Sequence, residues 1–139
     1  MSTLQEFLNS NPIDNLTAEI AISDRFKDKA GKLLKFKIKA MTNDEFDEIR
    51  KRATQMDFKK GKKNVEFNVM AFNESIVINN TLDPDFRNAD SIKAMGCTAP
   101  EQYLTKVLLA GEIAELSQQI QKLSGFEQDL SDLVEEAKN

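Results

Sequence analysis

The alternation of apolar and polar positions is clearest between Cys97 and Phe126. Leu104, Val107 and Leu108 fall at i, i+3 and i+4, one apolar stripe on a helix. Ile113, Leu116, Ile120 and Leu123 then repeat at three, four and three residues, with Glu112, Glu115, Gln118, Gln119, Gln121 and Lys122 around that seam. Thr98-Ala99-Pro100-Glu101 has the form of a capping box: Thr98 accepts from the backbone three residues on, Glu101 reaches back, and Pro100 fits a first turn whose N–H groups lack intrahelical partners. The pattern predicts a helix starting there, a break or sharp bend at Gly111, and a second helix closed by Gly125, with Phe126 folding back beyond that exit.

Upstream the period changes to two. Ile20 and Ile22 alternate with Glu19, Ala21 and Ser23, and Leu34, Phe36 and Ile38 alternate with Lys35, Lys37 and Lys39. The polar connection from Lys27 to Lys32 is short and carries Gly31, so these two half-buried strands pair most economically as an antiparallel hairpin. Thr42-Asn43-Asp44-Glu45 is a second capping box, opening a helix with Phe46, Ile49 and Ala53 inward and Glu48, Arg50 and Lys51 outward. Past Thr54 the stretch DFKKGKKN reads as a surface loop with four lysines around Gly61. Val69, Phe72, Ile76 and Val77 fit a helix between Val65 and Leu82, although the β-branched run Ile76-Val77-Ile78 also admits a strand. Asn79, Asn80, Asp83 and Pro84 stop it, and Ser91 to Met95 is a short helix ended by Gly96.

The two ends carry smaller apolar stripes. Leu4, Phe7 and Leu8 make one face of a helical turn capped by Ser2 or Thr3 and stopped at Asn11-Pro12, an arm suited to docking. Leu130, Leu133, Val134 and Ala137 line one face of an acidic C-terminal segment, which suits a partner-binding helix or packs back on the same domain. Together these elements predict an α+β chain, mainly helical: an N-terminal antiparallel β-hairpin packed with about five helices in one small domain. The chain's 139 residues suffice for one ordinary domain. Within 1–139, residues 1–16 form the N-terminal arm, 17–41 the β-hairpin, 42–126 the helical core and 127–139 the C-terminal amphipathic helix.

Composition removes function classes. No apolar run approaches the ~20 residues of a membrane span, and the N-terminus MSTLQEFLNSN lacks both the basic and the long apolar regions of a signal peptide. The single Cys97 allows no intramolecular disulfide, fits a reducing intracellular compartment, and is expected as a small buried apolar residue. The chain has no His, so the commonest general base and commonest protein metal ligand are both missing, leaving carboxylates, Lys and Tyr103. There is no Gly-rich phosphate loop, nucleophile elbow or calcium-loop spacing. No catalytic, cofactor-binding or metal-binding residue is therefore assigned. Net charge is −4, but residues 25–63 carry +8 and the remainder −12, a basic centre between acidic ends. Lys35, Lys37 and Lys39, with Lys59, Lys60, Lys62 and Lys63, leave open a small nucleic-acid-binding protein; the plainer account of the row is a solvated strand face that discourages edge-to-edge association.

The blocks FKIKAMTNDEFDEIR (Phe36–Arg50), LDPDFRNADSIKAMG (Leu82–Gly96), PEQYLTKVLLAGEIAELSQQIQKLSGF (Pro100–Phe126) and VEEAKN (Val134–Asn139) resemble the XkdN-like tail assembly chaperones of long-tailed phages and prophages. LLAGEIAELS is the most telling of them, and Ala110 departs from the family, which favours Pro before this Gly. The resemblance implies a non-enzymatic protein without cofactor, acting in the cytoplasm of the bacterial host and absent from the mature virion. It implies that the partners are the tape measure protein, kept soluble, and the tail tube protein, whose subunits assemble around it; nucleic acid and membrane are not expected, and a homo-oligomer is compatible. The expected partner-binding positions are the apolar seams Ile113, Leu116, Ile120 and Leu123, which bury either a core or a subunit contact, and Leu130, Leu133 and Val134. Relatives of this kind are often made in two lengths by a −1 ribosomal frameshift; Ala137-Lys138-Asn139 can be encoded as GCA AAA AAC, which contains the slippery heptamer A AAA AAC. The expectation is that this chain is the short form of such a pair.

Overall fold

Each capping signal places one end of an element, and the computed structural model describes residues 2–12, 16–59 and 62–126. Ser2 caps helix α1 (Thr3–Ser10) by accepting from Gln5 N–H at 3.1 Å. Strands β1 (Thr17–Ile20) and β2 (Phe36–Lys39) pair antiparallel with Ala18 opposite Ile38 and Ile20 opposite Phe36, so one face of the ladder is apolar and the other carries Lys37 and Lys39. The ladder is shorter than the alternation suggests. Beyond Ile20 and Phe36 the two chains separate, Leu34 is exposed rather than inward, and the connection closes on its own tip, where Asp28 Oδ1 accepts from the N–H groups of Ala30 and Lys32, both at 2.9 Å.

Thr42 and Glu45 form the predicted capping box of α2 (Asn43–Ala53): Thr42 Oγ1 accepts from Glu45 N–H at 3.2 Å, and Glu45 Oε1 from Thr42 N–H at 3.0 Å. The next segment corrects the expected loop. Residues Thr54–Lys59 (β3) and Lys62–Phe67 (β4) are an antiparallel hairpin in which Met56 pairs with Val65 and Lys59 with Lys62. The two-residue spacing at Lys60-Gly61 is hairpin spacing, and Met56, Phe58, Val65 and Phe67 alternate with polar residues; the lysine density hid that period.

Helix α3 (Val69–Asn80) decides the ambiguous β-branched run in favour of helix. Ile76, Val77 and Ile78 are all buried, which a surface helix would not allow; α3 runs through the middle of the domain against α2, α5 (Pro100–Val107) and α6 (Ala110–Leu123), and burial on several sides outweighs the weak propensity of branched residues. Directly after it, β5 (Thr81–Asp83) joins β2, giving the sheet order β1-β2-β5, a third strand too short to register as a pattern. Helix α4 (Ala89–Ala94) completes the chain order.

The two most regular helices start differently from expectation. Helix α5 is capped from Ala99, whose side chain accepts nothing; Gln102 Oε1 instead accepts from Thr98 N–H at 2.8 Å, Ala99 N–H at 3.2 Å and Thr98 Oγ1–H at 3.0 Å. Gln102 takes the role expected of Glu101 because the helix begins at Pro100, one residue later than a Thr98 cap would place it. The break before α6 falls at Leu108 and Leu109, both extended, and Gly111 lies within the first turn of α6. Glu112 Oε1 accepts from Leu109 N–H at 2.7 Å, so a carboxylate closes the helix end where a glycine was expected to open it. At the other end Gly125 has φ +103° and the exit is as predicted: Phe126 N–H reaches Gln121 O at 2.9 Å, Gly125 N–H reaches Lys122 O at 3.0 Å, and the Phe126 ring packs on Phe46 with centroids 5.0 Å apart.

One consequence is testable at Ala110. It occupies the first helical position, and Leu109 before it has φ −74° and ψ 156°, the conformation a residue preceding proline prefers. Ala110→Pro is expected to stabilise the protein by about 0.4–1 kcal/mol by restricting the unfolded chain. Urea titration checks this; a loss of stability would show that the Leu109–Ala110 turn differs from the one described.

Candidate functional site

The sequence-derived positions divide between core and surface. Ile113, Leu116 and Ile120 are buried in the core, and Leu123 is half-buried against it. The residues packed with them include Ile38, Ile76, Val77 and Leu104, so this seam attaches α6 to the rest of the domain. Leu130, Leu133 and Val134 lie outside the described residues, as do Lys60 and the C-terminal segment. Cys97 is half-buried, its Sγ 3.6 Å from Met95 O. Among the described residues no group of three or more Cys, Asp or Glu side chains is placed to hold a metal ion, and no helix is long and apolar enough to cross a membrane.

Three surface features remain. The first is α1, which buries no residue at all: Leu4, Phe7 and Leu8 are 66%, 59% and 57% exposed. Three large apolar side chains on one face of an ordered helix, without a core beneath them, are the kind of surface that partner contacts cover.

The second is a groove of about 350 Å³ walled by Phe26, Leu34 and Phe36 on one side and Phe86, Tyr103 and Leu108 on the other. Arg25 precedes Phe26 in that wall. The guanidinium donates from Nε to Glu112 Oε2 at 3.0 Å and from Nη2 to Glu112 Oε1 at 2.6 Å, a two-pronged pair, while Nη2 also donates to Val107 O at 3.0 Å. Arg25 further lies 4.4 Å from the centroid of the Phe26 ring, and Phe26 meets Phe36 edge-on at 5.1 Å. The link thus fastens the β1–β2 connection to the α5–α6 joint across 87 residues of sequence. Sequence reading assigned Glu112 to the polar side of α6, and nothing in its spacing signalled a partner so distant.

The Arg25 hydrogen bonds hold the Glu112 carboxyl below its ordinary range, with the Leu109 N–H assisting and burial opposing. A carboxyl depressed in the folded state contributes stability that is complete above its unfolded pKa and is lost as pH falls through the folded one. Arg25→Gln is therefore expected to be less stable than the parent at neutral pH, with the difference shrinking as the pH falls to about 3. Denaturant titrations across that range check the sign, and a pH-independent difference would contradict the linkage.

The third feature is a polar cleft of about 250 Å³ lined by Lys39, Glu45, Glu48, Arg52, Asn79 and Arg87. Lys39 Nζ donates to Glu45 Oε2 at 2.8 Å and to Asn80 Oδ1 at 3.0 Å, and Glu45 is held below its ordinary range by that contact first. Glu48 is in turn paired with Arg52 along α2. Lys39, expected as the third member of a solvated row, is instead half-buried and committed.

A model of the phage XkdN-like tail assembly chaperone proteins matches residues 4–138. The phage-like element PBSX protein XkdN of Bacillus subtilis (strain 168) is 35% identical over 138 residues, which cover 98% of this chain and 93% of the relative. YqbN of the same strain is 33% identical over the same shares of the two chains. A crystal structure of YqbN superposes with a TM-score of 0.69 at 28% identity, covering 91% of this chain and 98% of that one. The family model spans nearly the whole chain, and the chain belongs to the phage XkdN-like tail assembly chaperone family.

Proposed function

We propose that this protein acts without catalysis as a chaperone of the tape measure protein, keeping helical, apolar client segments in solution while tail tube subunits assemble around them. It acts in the host cytoplasm and is left out of the finished virion. The observation that carries this reading is α1, whose apolar face has no function in holding the fold. A client helix laid against Leu4, Phe7 and Leu8 gains the burial those side chains lack here, about 25 cal/mol for each Å² covered. Leu130, Leu133 and Val134 supply a second stripe of the same spacing. The domain divides accordingly: 1–16 as an arm, 17–126 as the folded body that presents it, and 127–139 as a second partner-binding element.

The experiment is co-expression. The tape measure protein encoded with this chain is expected to be recovered soluble and in complex when both are made, and to aggregate when made alone. Equal solubility in the two cases would remove the proposal. A two-length arrangement through Ala137-Lys138-Asn139 belongs to the same reading; silent recoding to GCG AAG AAC would abolish a longer product, and a gene lacking the heptamer would exclude this site. Nucleic-acid binding through Lys35, Lys37 and Lys39 has a weaker basis than their spacing suggests, since Lys39 is bound to Glu45 and Asn80.

A further inference from the structure

The sheet β1-β2-β5 ends in two unlike edges. On one side β5 is three residues long, stops before Pro84 and shifts register against β2 between Lys37 and Ile38, devices that keep an edge from pairing further. On the other side β1 has no lysine, proline or bulge. Lys37 and Lys39, read from the sequence as a guard against edge-to-edge association, lie on β2, the central strand.

Leu16 continues β1 by one residue, since its carbonyl accepts from Ala40 N–H at 2.8 Å in the same register. That bond fixes which way each backbone group points. In an antiparallel ladder, hydrogen-bonded pairs alternate with unbonded ones, so the backbone groups of Leu16, Ala18 and Ile20 face β2 and those of Thr17 and Glu19 face away from it. No backbone hydrogen bond from another described residue reaches that outer row. Beside the edge lies a groove of about 410 Å³ lined by Ala18, Ile20, Ile38, Gln119, Lys122 and Leu123. Leu16, on the same face of the strand by alternation, is 47% exposed.

The strand that fits this edge is β1 itself. Two copies related by a two-fold axis normal to the sheet pair antiparallel, and facing side chains match only when the axis passes through a residue. An axis at Glu19 sets two carboxylates directly opposite each other, which opposes pairing. An axis at Thr17 leaves Ile20 outside the overlap. An axis at Ala18 pairs all of Leu16 to Ile20: each Thr17 stands opposite the partner's Glu19, the two small Ala18 side chains meet on the axis, and each Ile20 meets the partner's Leu16 beside the groove. Thr17 and Glu19 are then the bonded pairs, which uses the backbone groups that the single chain leaves outward. Across the outer face the order runs Asp83, Lys37, Glu19, the partner's Thr17 and the partner's Lys39, with no like charges adjacent. We propose that β1 pairs with β1 of a second copy of this chain about Ala18, joining the two sheets into one. The contact goes beyond the client reading and does not depend on it, because it belongs to the chain alone.

Five residues a side bury less than the about 800 Å² per partner of a standard interface, so the dimer is expected to be weak and concentration-dependent. Sedimentation velocity on the full chain should show monomer at about 1 µM passing to dimer toward about 1 mM. Glu19→Pro removes a donor from the new ladder and none from the β1–β2 ladder, and is expected to give a monomer with the circular dichroism of the parent. Thr17→Glu, at an exposed position, sets carboxylates opposite each other and should weaken the dimer at least about twofold while the fold is kept. Mild oxidation with diamide in a Cys97→Ser background reads the register. Ala18→Cys should cross-link two chains, whereas the Cα atoms of Glu19→Cys lie beyond the about 7 Å that a disulfide spans and should not. A monomer throughout the concentration range, a dimer that keeps its affinity in Glu19→Pro and Thr17→Glu, or cross-linking at Glu19→Cys instead of Ala18→Cys would overturn the proposal. So would a monomer whose Thr17 and Glu19 amides are already protected from exchange, the sign of an edge covered by its own chain, or become protected only with the tape measure protein, the sign of a client strand there.

Discussion

Leu116→Ala is expected to lower the unfolding free energy by about 2–5 kcal/mol. The side chain is fully buried on the face of α6 that meets α3, in a cluster containing Ile38, Ile76, Val77, Leu104 and Ile120, so its removal leaves a cavity that several helices would have to move to close. Polar contacts nearby restrict that movement: the buried Ser117 donates to Asn73 Oδ1 at 2.8 Å and accepts from Gln121 Nε2 at 3.1 Å, fixing α6 against α3. Leu123→Ala, at a half-buried position, serves as the comparison and should cost clearly less. Denaturant unfolding measures both, and a loss at Leu116 below about 0.5 kcal/mol, the range of ordinary surface changes, would contradict the placement of this seam in the core.

Replacing Leu4, Phe7 and Leu8 together with Asp should have the opposite profile. These positions are exposed, outside the core cluster, so the domain's stability is expected to stay within about 0.5 kcal/mol of the parent. If α1 carries the client, loss of three apolar anchors worth about 1 kcal/mol each weakens the complex about a hundredfold, and the co-expressed tape measure protein returns to the insoluble fraction. Unchanged recovery of the client would move the contact elsewhere on the surface. Paired with Leu116→Ala, the variant separates residues that hold the fold from residues that present it to a partner.

The parts of this architecture that could be read from sequence are those in which a local period or cap decides the structure alone. The seam from Ile113 to Leu123, the Thr42–Glu45 box and the Gly125 exit each depend on residues within a few positions of one another, and all three are present. What escaped reading depends on distant partners or competing signals. The β3–β4 hairpin was concealed by lysines around Gly61, although its apolar residues alternate. Strand β5 exists because β2 lies beside it, and three residues are too few to show a period. The start of α6 depends on Glu112, whose second partner, Arg25, is 87 residues away. The exposure of α1 was likewise invisible: the same i, i+3, i+4 spacing marks a buried stripe in α5 and an uncovered one in α1, and only the surrounding structure distinguishes them.

Amide hydrogen exchange on the chain, alone and in complex with the tape measure protein, tests the central claim most directly. The account predicts that residues 3–10, all exposed in the described structure, gain protection on binding, whereas the amides of α6 from Ile113 to Ile120, already inside the core, change little. A complex in which residues 3–10 exchange as fast as in the free chain, or the absence of any complex, would contradict it.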